Sequence, residues 1–327
     1  MSGINCNCGD VKFPNMGRPN CVTEQKTMAM PWLRAKYKKD GTQNYLNVNQ
    51  DPSTILDSNG VAGNYATFGD YVKDLIQNSN WDASERIYPM PRVEGATFER
   101  TETVYETAPS TKKYKIDGVG GVRTWNFQLW AKDAVNQIYR ELKQIGCTDL
   151  EAFYIDIAGA IWGIMDEPKS GLLRGYEWSA ETFDVFRDYA TDTTVSKLNI
   201  SVDLDNNECE ENSYPVTASE LGYRASTMKG LVSASVVADN SDLSTIVANV
   251  CTGFGTAQNP DNILGLVDAD FVVVDAAAPL VPLAHTGTVE VDGTYTISMT
   301  APLTAASIYI VKATATGYDT ADVSFTA

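Results

Sequence analysis

The chain has 327 residues, of which 43% are hydrophobic and 20% are charged, a composition typical of a folded globular protein and not of a disordered one. Its 42 acidic and 25 basic residues give a formal net charge of −17, which argues against a protein that grips nucleic acid through its phosphates. The single histidine, His285, excludes a histidine-rich metal site, and no catalytic motif surrounds it. The longest apolar runs fall far short of the roughly 20 residues that span a bilayer.

Six cysteines are present, and three of them form an N-terminal Cys-Asn-Cys-x12-Cys pattern that ends at Cys21. A structural zinc site needs four thiolate or imidazole ligands, so this pattern would require a fourth ligand from a distant cysteine or from another chain. Oxygen-bearing side chains alternate at 203–211 and suggest calcium, but the loop lacks the central glycine and the terminal glutamate of an EF-hand. We predict no catalytic residue, no metal site and no cofactor, and therefore a protein that is not an enzyme.

The first 96 residues are predicted to be largely irregular. Residues 40–70 are rich in Asn, Asp, Gly, Ser and Thr, which favour turns. One short helix is predicted over 71–78, because Val72, Leu75 and Ile76 share an apolar face. Asp70 is placed to cap this helix.

Residues 97–123 combine β-branched and aromatic residues with charges of both signs, and the dipeptide Pro109-Ser110 supplies a turn between the two halves. This pattern predicts a β-arm. The arm is either an ordinary surface hairpin or a segment that pairs with another subunit. The candidate inter-subunit residues are Val104, Tyr105, Tyr114, Lys115, Ile116 and Arg123.

The segment 124–204 has the strongest periodicity and is predicted to form a sandwich core. In the strand that begins at Arg123, Trp125, Phe127 and Leu129 alternate with polar residues. The predicted elements that follow are a helix over 131–145, strands over 153–157 and 160–165, an alternating segment over 176–188, and a strand over 195–204. The predicted fold class is mainly β, a β-sandwich with one flanking helix, and residues 1–212 are predicted to form one domain.

A second domain is predicted over 213–327, where alanine, valine and threonine dominate and turn signals separate short strands. Asp292-Gly293 marks a hairpin turn, and the strand spacing predicts a β-sandwich. The sequences DGTYTISM and YIVKATATGY resemble immunoglobulin-like modules of bacterial and phage surfaces. The disulfide of antibody domains has no counterpart, because this region contains only Cys251.

Three motifs within 118–204 resemble the major tail (tail tube) proteins of tailed bacteriophages. They are G-x-R-T-W-N-F-Q-L-W, C-x-D-x-x-x-F-Y-I-D-x-x-G-x-I-W-G and Y-A-T-D-T-T-V-S-K-L-N-I-S-V-D-L. The resemblance implies a β-sandwich tube domain, with the immunoglobulin-like module as a decoration, that assembles into hexameric rings stacked as a hollow tube. The implied partners are the chain itself, other phage tail proteins, and DNA that passes without specific binding. No membrane partner is expected.

The implied location is the virion, after assembly in the cytoplasm of the host bacterium. The first residues show no export-signal pattern, which agrees with that expectation. Two alternatives stay open. The long N-terminal region leaves room for a neck, tail-terminator or capsid-decoration protein, and the immunoglobulin-like module leaves room for a surface adhesin or carbohydrate-binding protein.

Overall fold

The computed structural model describes residues 24–102, 105–107, 113–115, 122–130, 136–145, 149–165, 167, 170–205, 212–254 and 260–327. It is 44% strand and 14% helix, so the predicted mainly β class is confirmed. The N-terminal cysteine pattern, most of the 203–211 loop, and the residues Val104 and Ile116 lie outside the described residues. The chain divides into two compact units. The first contains the described residues up to 76 and 80–229, and the second contains 77–79 and 230–327.

The strands of the first unit form two main antiparallel sheets. The six-stranded sheet consists of β1 (Met28–Ala35), β3 (Tyr88–Pro89), β8 (Leu150–Asp156), β9 (Ile161–Ile164), β11 (Tyr176–Trp178) and β14 (Ser213–Val216). Its order is β14-β9-β8-β1-β3, and β11 also pairs with β8. The four-stranded sheet consists of β4 (Glu94–Arg100), β7 (Arg123–Trp130), β12 (Asp184–Asp188) and β13 (Lys197–Asp203), in the order β12-β13-β7-β4.

Two short antiparallel pairs complete the strands of the first unit. One joins β2 (Leu46–Asn47) to β10 (Leu172–Leu173), and the other joins β5 (Tyr105–Thr107) to β6 (Lys113–Lys115).

The first core of this unit is built by strand alternation. On β7, Trp125, Phe127 and Leu129 are buried, as the sequence predicts. The Trp125 ring lies edge-on to the rings of Tyr154 and Trp178, with centroids 6.0 Å and 6.1 Å away. Such aromatic pairs contribute about 0.5–1.5 kcal/mol each beyond the area they bury. The core joins residues of both sheets into one hydrophobic cluster.

A second hydrophobic cluster of the first unit includes the buried face of helix α1 (Phe68–Gln77). Its buried side chains are Val72, Leu75 and Ile76, as predicted. The helix starts before the predicted position because Thr67 caps it. The Asp70 N–H donates to Thr67 Oγ1 at 3.1 Å, and the Thr67 N–H donates to Asp70 Oδ2 at 2.9 Å. Asp70 is therefore the inner member of this reciprocal pair and not the cap itself.

The boundary between the units lies between Lys229 and Gly230, and not after residue 212 as predicted. Residues 213–229 belong to the first unit because β14 pairs with β9 over four residues. Helix α3 (Ala218–Leu221) also packs closely there. A β-carbon added at Gly69 of α1 would lie only 1.8 Å from the Leu221 carbonyl oxygen.

Two other elements differ from their predicted bounds. Helix α2 spans Asn136–Ile145, and the five preceding residues of the predicted helix lie outside the described part of the chain. The segment 176–188 forms β11 and β12 instead of one alternating strand, because the 3-10 turn Ala180–Thr182 separates them and they join different sheets. Of the described helices, none combines the length and the apolarity needed to cross a bilayer.

The described residues of the second unit form a two-sheet sandwich of seven strands. They are β15 (Ala234–Asp242), β16 (Thr245–Thr252), β17 (Phe271–Asp275), β18 (His285–Val291), β19 (Thr294–Met299), β20 (Ile308–Ala313) and β21 (Ala321–Thr326). One sheet has the order β15-β16-β19-β18, and the other has the order β17-β20-β21. Lettered A to G along the chain, these are sheets ABED and CFG, the arrangement of immunoglobulin constant-type domains.

Local features of the second unit agree with this topology. The Thr304 N–H donates to the Tyr309 hydroxyl at 2.8 Å, which ties the start of strand F to the backbone upstream, as the tyrosine corner of immunoglobulin domains does. Asp292 and Gly293 form the predicted hairpin turn, both with positive φ (49° and 78°). Cys251 is a free thiol.

Candidate assembly surface

The four-stranded sheet of the first unit has one face on the core and one face toward solvent. On β7, Thr124, Asn126 and Gln128 alternate with the buried residues, and the register places Asn126 opposite Ser201 of β13 and Thr97 of β4. We call the outward residues the carboxylate face. Its members are Glu94, Thr97, Glu99, Thr124, Asn126, Gln128, Trp130, Asp184, Phe186, Asp188, Lys197, Asn199, Ser201 and Asp203, none of which is buried.

The carboxylate face is strongly negative. Its own strands carry one ammonium group, that of Lys197, which lies 3.5 Å from Asp188 Oδ2, and Lys143 of α2 lies 3.3 Å from Asp184 Oδ1. Its carboxylates are Glu94, Glu99, Asp184, Asp188 and Asp203. Because these groups stand on all strands of the sheet except β7, the negative charge extends from one edge to the other.

Hydrogen bonds within the face hold several carboxylates in place. Thr124 Oγ1 donates to Asp203 Oδ1 at 2.5 Å, and Asn199 Nδ2 donates to Asp188 Oδ2 at 2.9 Å. An ionised carboxylate offers about four acceptor positions, so each keeps capacity for water. The face therefore holds these carboxylates in place and leaves them with further acceptor positions.

The two edges of this sheet differ from each other. Among the described strands, β4 pairs only with β7 and β12 pairs only with β13. The β4 edge has a bulge between the pairs Glu94–Gln128 and Thr97–Asn126, where Gly95 has a φ of 61°. The β12 edge has a regular register. A strand edge without a neighbouring strand can pair with another chain, although helix α2 lies against β12, where Lys143 Nζ is 3.3 Å from Asp184 Oδ1.

The β5–β6 pair lies within the predicted arm, and we call it the ribbon. Its register pairs Tyr105 with Lys115, and Glu106 with Tyr114. Within the described part of the chain it forms a two-stranded sheet of its own. Three of the six candidate inter-subunit residues, Tyr105, Tyr114 and Lys115, thus lie on one hairpin, while Val104 and Ile116 fall outside the described residues.

The predicted arm starts too early and ends too late. Residues 97–100 pair with β7 of the same chain, so they belong to the sheet. Arg123, the sixth candidate residue, is the first residue of β7, and its Nη2 donates to the Asp205 carbonyl oxygen at 3.3 Å. The arm is therefore confined to residues between 101 and 122.

The six tryptophans, all of which lie in the described residues, do not form a flat platform for sugars. Four of the six tryptophans, including Trp125, Trp162 and Trp178, are buried, and Trp81 donates to Asp74 Oδ2 at 2.7 Å. Trp130 is 40% exposed, but the Lys197 ammonium lies 5.5 Å from its ring centroid. This arrangement weakens the carbohydrate-binding alternative.

Groups with catalytic or metal-binding potential are engaged in structural contacts. His285 Nδ1 lies 2.8 Å from Asp268 Oδ1, and its Nε2 lies 3.2 Å from the Phe271 carbonyl oxygen. Burial and the nearby Asp156 raise the pKa of Tyr154 to about 12, and its hydroxyl donates to the Lys26 carbonyl oxygen at 2.6 Å. Within the described ranges, no three His, Cys, Asp or Glu side chains are grouped closely enough to hold a metal ion.

Sequence reasoning missed the carboxylate face and the β12 edge. The pattern Lys197-x-Asn199-x-Ser201-x-Asp203 does indicate a polar outward row, but it does not say which strands extend that row. Comparison with protein-family models, curated proteins and solved structures returned no match.

Proposed function

We propose that this protein is a structural subunit of a bacteriophage virion. In this proposal it self-assembles into hexameric rings, and the rings stack as the tail tube through which DNA passes. The observation that carries the proposal is the four-stranded sheet of the first unit, which has a negative outer face between two unpaired edges.

The two edges support ring formation because they are different. A contact between the bulged β4 edge of one copy and the regular β12 edge of the next is heterologous, and such contacts generate rings when the rotation closes. A six-membered ring needs a rotation of about 60° at each contact. In a closed ring the four-stranded sheets join into one wall, and no edge remains to recruit further strands.

The carboxylate face supports a passage for DNA. A wall of carboxylates repels phosphates, and at physiological salt this repulsion acts within a Debye length of about 8 Å. In the described part of the chain, the two ammonium groups at this face are engaged with carboxylates, since Lys197 Nζ lies 3.5 Å from Asp188 Oδ2 and Lys143 Nζ of α2 lies 3.3 Å from Asp184 Oδ1. DNA near such a wall would move along it without adsorbing.

Two further features fit a subunit of an assembly. The ribbon carries both signs of charge, with Glu106 on one strand and Lys113 and Lys115 on the other, as expected of a segment that contacts a neighbouring copy. The second unit has a hydrophobic core of its own, so it can act as a separable decoration.

Electron microscopy of the purified protein tests the proposal. We expect six-fold rings or tubes from the natural chain. A variant with 104–114 replaced by a Gly/Ser linker should remain monomeric with unchanged thermal unfolding, whereas the control Leu56→Ser, at an exposed position of the same unit, should assemble normally. Monodisperse natural chains would contradict the proposal, and normal tubes from the linker variant would show that the ribbon is an ordinary surface hairpin.

A gel-shift titration against duplex DNA tests the role of the carboxylate face. The assembled natural protein should not retain DNA, even at low salt, because few cation–phosphate contacts exist to strengthen. Asn126→Lys adds one cation per subunit at the centre of the face and should create DNA retention that weakens as salt rises. Val272→Lys adds the same charge to the second unit and should not. Equal behaviour of the two variants would contradict the idea that this face lines the passage.

A further inference from the structure

Strand β1 is buried on both of its faces, so its apolar pattern alone does not fix how it pairs with β8. Trp32 belongs to the cluster that contains the buried face of α1, whereas Leu33 belongs to the cluster that joins the two sheets. A strand with one buried face has its register set by alternation, because a shift by one residue turns its apolar side chains to solvent. Alternation cannot act in this way on β1, because its run 28–33 is apolar and buried on both faces.

Two buried charges lie at the end of this apolar run. Arg34 of β1 and Glu151 of β8 are each only 1% exposed, and the register places them directly opposite each other. Directly opposite residues of antiparallel strands have β-carbons about 4.5–5.5 Å apart. Because a buried charge is costly unless an opposite charge lies close to it, the observed register lowers the cost of both charges together.

The charged row continues onto the next strand. Glu177 of β11 lies opposite Glu151 on the other side of β8, and the Lys36 ammonium forms an ion pair with Glu177. Burial lowers the pKa of Lys36, but its contacts, chiefly the hydrogen bond with Glu177, raise it overall. Two carboxylates directly opposite each other repel. The cations Arg34 and Lys36, which come from the same strand, offset this repulsion.

A shift of β1 by two residues along β8 keeps every side chain on its face but breaks this row. In one direction Lys36 would come opposite Glu151, but Arg34 would then lie opposite Phe153, within an apolar cluster. In the other direction Glu151 would lie opposite Trp32 instead of a cation. Each shift therefore separates two buried charges, although β1 would still present apolar side chains to both clusters.

We propose that the pair Arg34–Glu151 is a register lock, which selects one pairing of β1 with β8 among several that bury the same apolar run. The lock acts mainly by making shifted pairings unfavourable, because a buried ion pair seldom stabilises a fold more than apolar side chains of similar volume do. It concerns how the first unit reaches a single fold, and it does not depend on the proposed function.

Disulfide trapping in the full-length chain tests the lock. Leu33→Cys with Ala152→Cys reports the observed register, and Ala35→Cys with Ala152→Cys or Leu33→Cys with Leu150→Cys reports one of the two shifted registers. Directly opposite cysteines suit a disulfide, whereas positions two residues out of register are about 7–8 Å apart. Each chain is refolded from urea under reducing conditions and then oxidised. Mass spectrometry of the unreduced digest identifies every disulfide, those of the natural cysteines included.

In the otherwise natural chain, we expect only the reporter of the observed register to close efficiently. Arg34→Met with Glu151→Leu removes both charges and keeps apolar volume, so it should raise the yield of a shifted-register disulfide about ten-fold. The charge swap Arg34→Glu with Glu151→Arg should restore the natural pattern. Arg174→Met removes another buried arginine of the first unit and, as the control, should leave the pattern unchanged.

Two results would overturn the register lock. One is a double substitution that leaves the shifted-register disulfides at their natural yield, and the other is an equal rise with Arg174→Met, which would indicate general destabilisation. If the double-substituted chain does not refold, the charge swap decides. A swapped chain that refolds and closes only the reporter of the observed register supports the lock, and one that closes a shifted reporter or fails to refold contradicts it.

Discussion

The two four-stranded sheets of this protein share an architecture and differ in chemistry. Each is antiparallel, each packs one face on a hydrophobic core, and each leaves the other face to solvent. The outer face in the first unit carries five carboxylates, whereas the outer face of the ABED sheet in the second unit carries two, those of Asp239 and Asp242. Since the inward residues alone are enough to define each core, the outward residues are free to differ between the two sheets.

The contrast between the two sheets assumes that the two units fold separately. Truncation of the chain tests this assumption and should give the largest effect. A chain that ends at residue 229 should keep the cooperative unfolding transition of the first unit. A chain that ends at residue 212 should lose it, because removal of β14 and α3 uncovers Ile161 and its neighbours and deletes buried Val216 and Leu221. Each of these side chains contributes about 1.5–3 kcal/mol by burial. Differential scanning calorimetry measures the unfolding transition of each truncated chain. A cooperative transition in the chain that ends at residue 212 would support the domain boundary predicted from the sequence.

Matched core substitutions sharpen the comparison. Trp125→Ala should destabilise the first unit by about 3–5 kcal/mol, and Phe271→Ala should destabilise the second unit by a similar amount, because both remove a large buried ring. Calorimetry of each variant should show one transition shifted and the other unchanged. If either substitution moved both transitions, the two cores would not be independent.

Alanine substitutions at two glycines, one in each unit, should show a smaller difference in stability. Gly69→Ala should cost the first unit about 1–3 kcal/mol, because the new methyl group would meet the Leu221 carbonyl oxygen. A methyl group added by Gly287→Ala, on the outward face of the ABED sheet, meets no atom within 4 Å, so this change should alter stability by less than about 0.5 kcal/mol. Urea unfolding measures both. A neutral Gly69→Ala would mean that α1 and α3 lie farther apart than described.

Low pH should destabilise the two units to different extents, and this difference is the smallest of the expected effects. In the first unit, turn hydrogen bonds lower the pKa of Asp40, Asp51, Asp57 and Asp82, and in the second unit the hydrogen bond from Thr288 lowers the pKa of Asp268. A lowered pKa in the folded state gives stability that is present above the ordinary carboxyl value of 3.8 and is lost as pH falls through the folded value.

Below about pH 4, the unfolding temperature of the first unit should therefore fall more steeply than that of the second unit. Calorimetry over a pH series measures this decline. Asp57→Asn should flatten it, because the hydrogen bond from the Val61 N–H no longer meets a titrating group. Asp192→Asn, an exposed carboxylate of the same unit, serves as the control. If the unfolding temperature of the second unit fell as steeply as that of the first, the acid sensitivity could not be attributed to these turn carboxylates.

The sequence predicts what depends on neighbours along the chain and misses what depends on distant partners. Alternation at Trp125, Phe127 and Leu129 identifies β7, and Asp292-Gly293 identifies a hairpin, because both signals are local. The boundary at 212 fails because β14 has its partner, β9, about 50 residues earlier. The candidate surface follows the same rule. The ribbon could be predicted from its own residues. The carboxylate face could not, because it is formed by the register of four strands.

The placement of β14 also has a consequence for synthesis of the chain. On a ribosome, the six-stranded sheet cannot receive its last strand until Val216 has emerged, although β1 starts at Met28. Its pairings β1–β8 and β9–β14 are non-local, and such contacts form slowly because long loops must close first. The second unit contains the hairpins β15–β16, β18–β19 and β20–β21, which form from residues made close together in time. Strands of the first unit whose partners are made later therefore keep unpaired edges until those partners emerge, and these edges need protection from premature pairing.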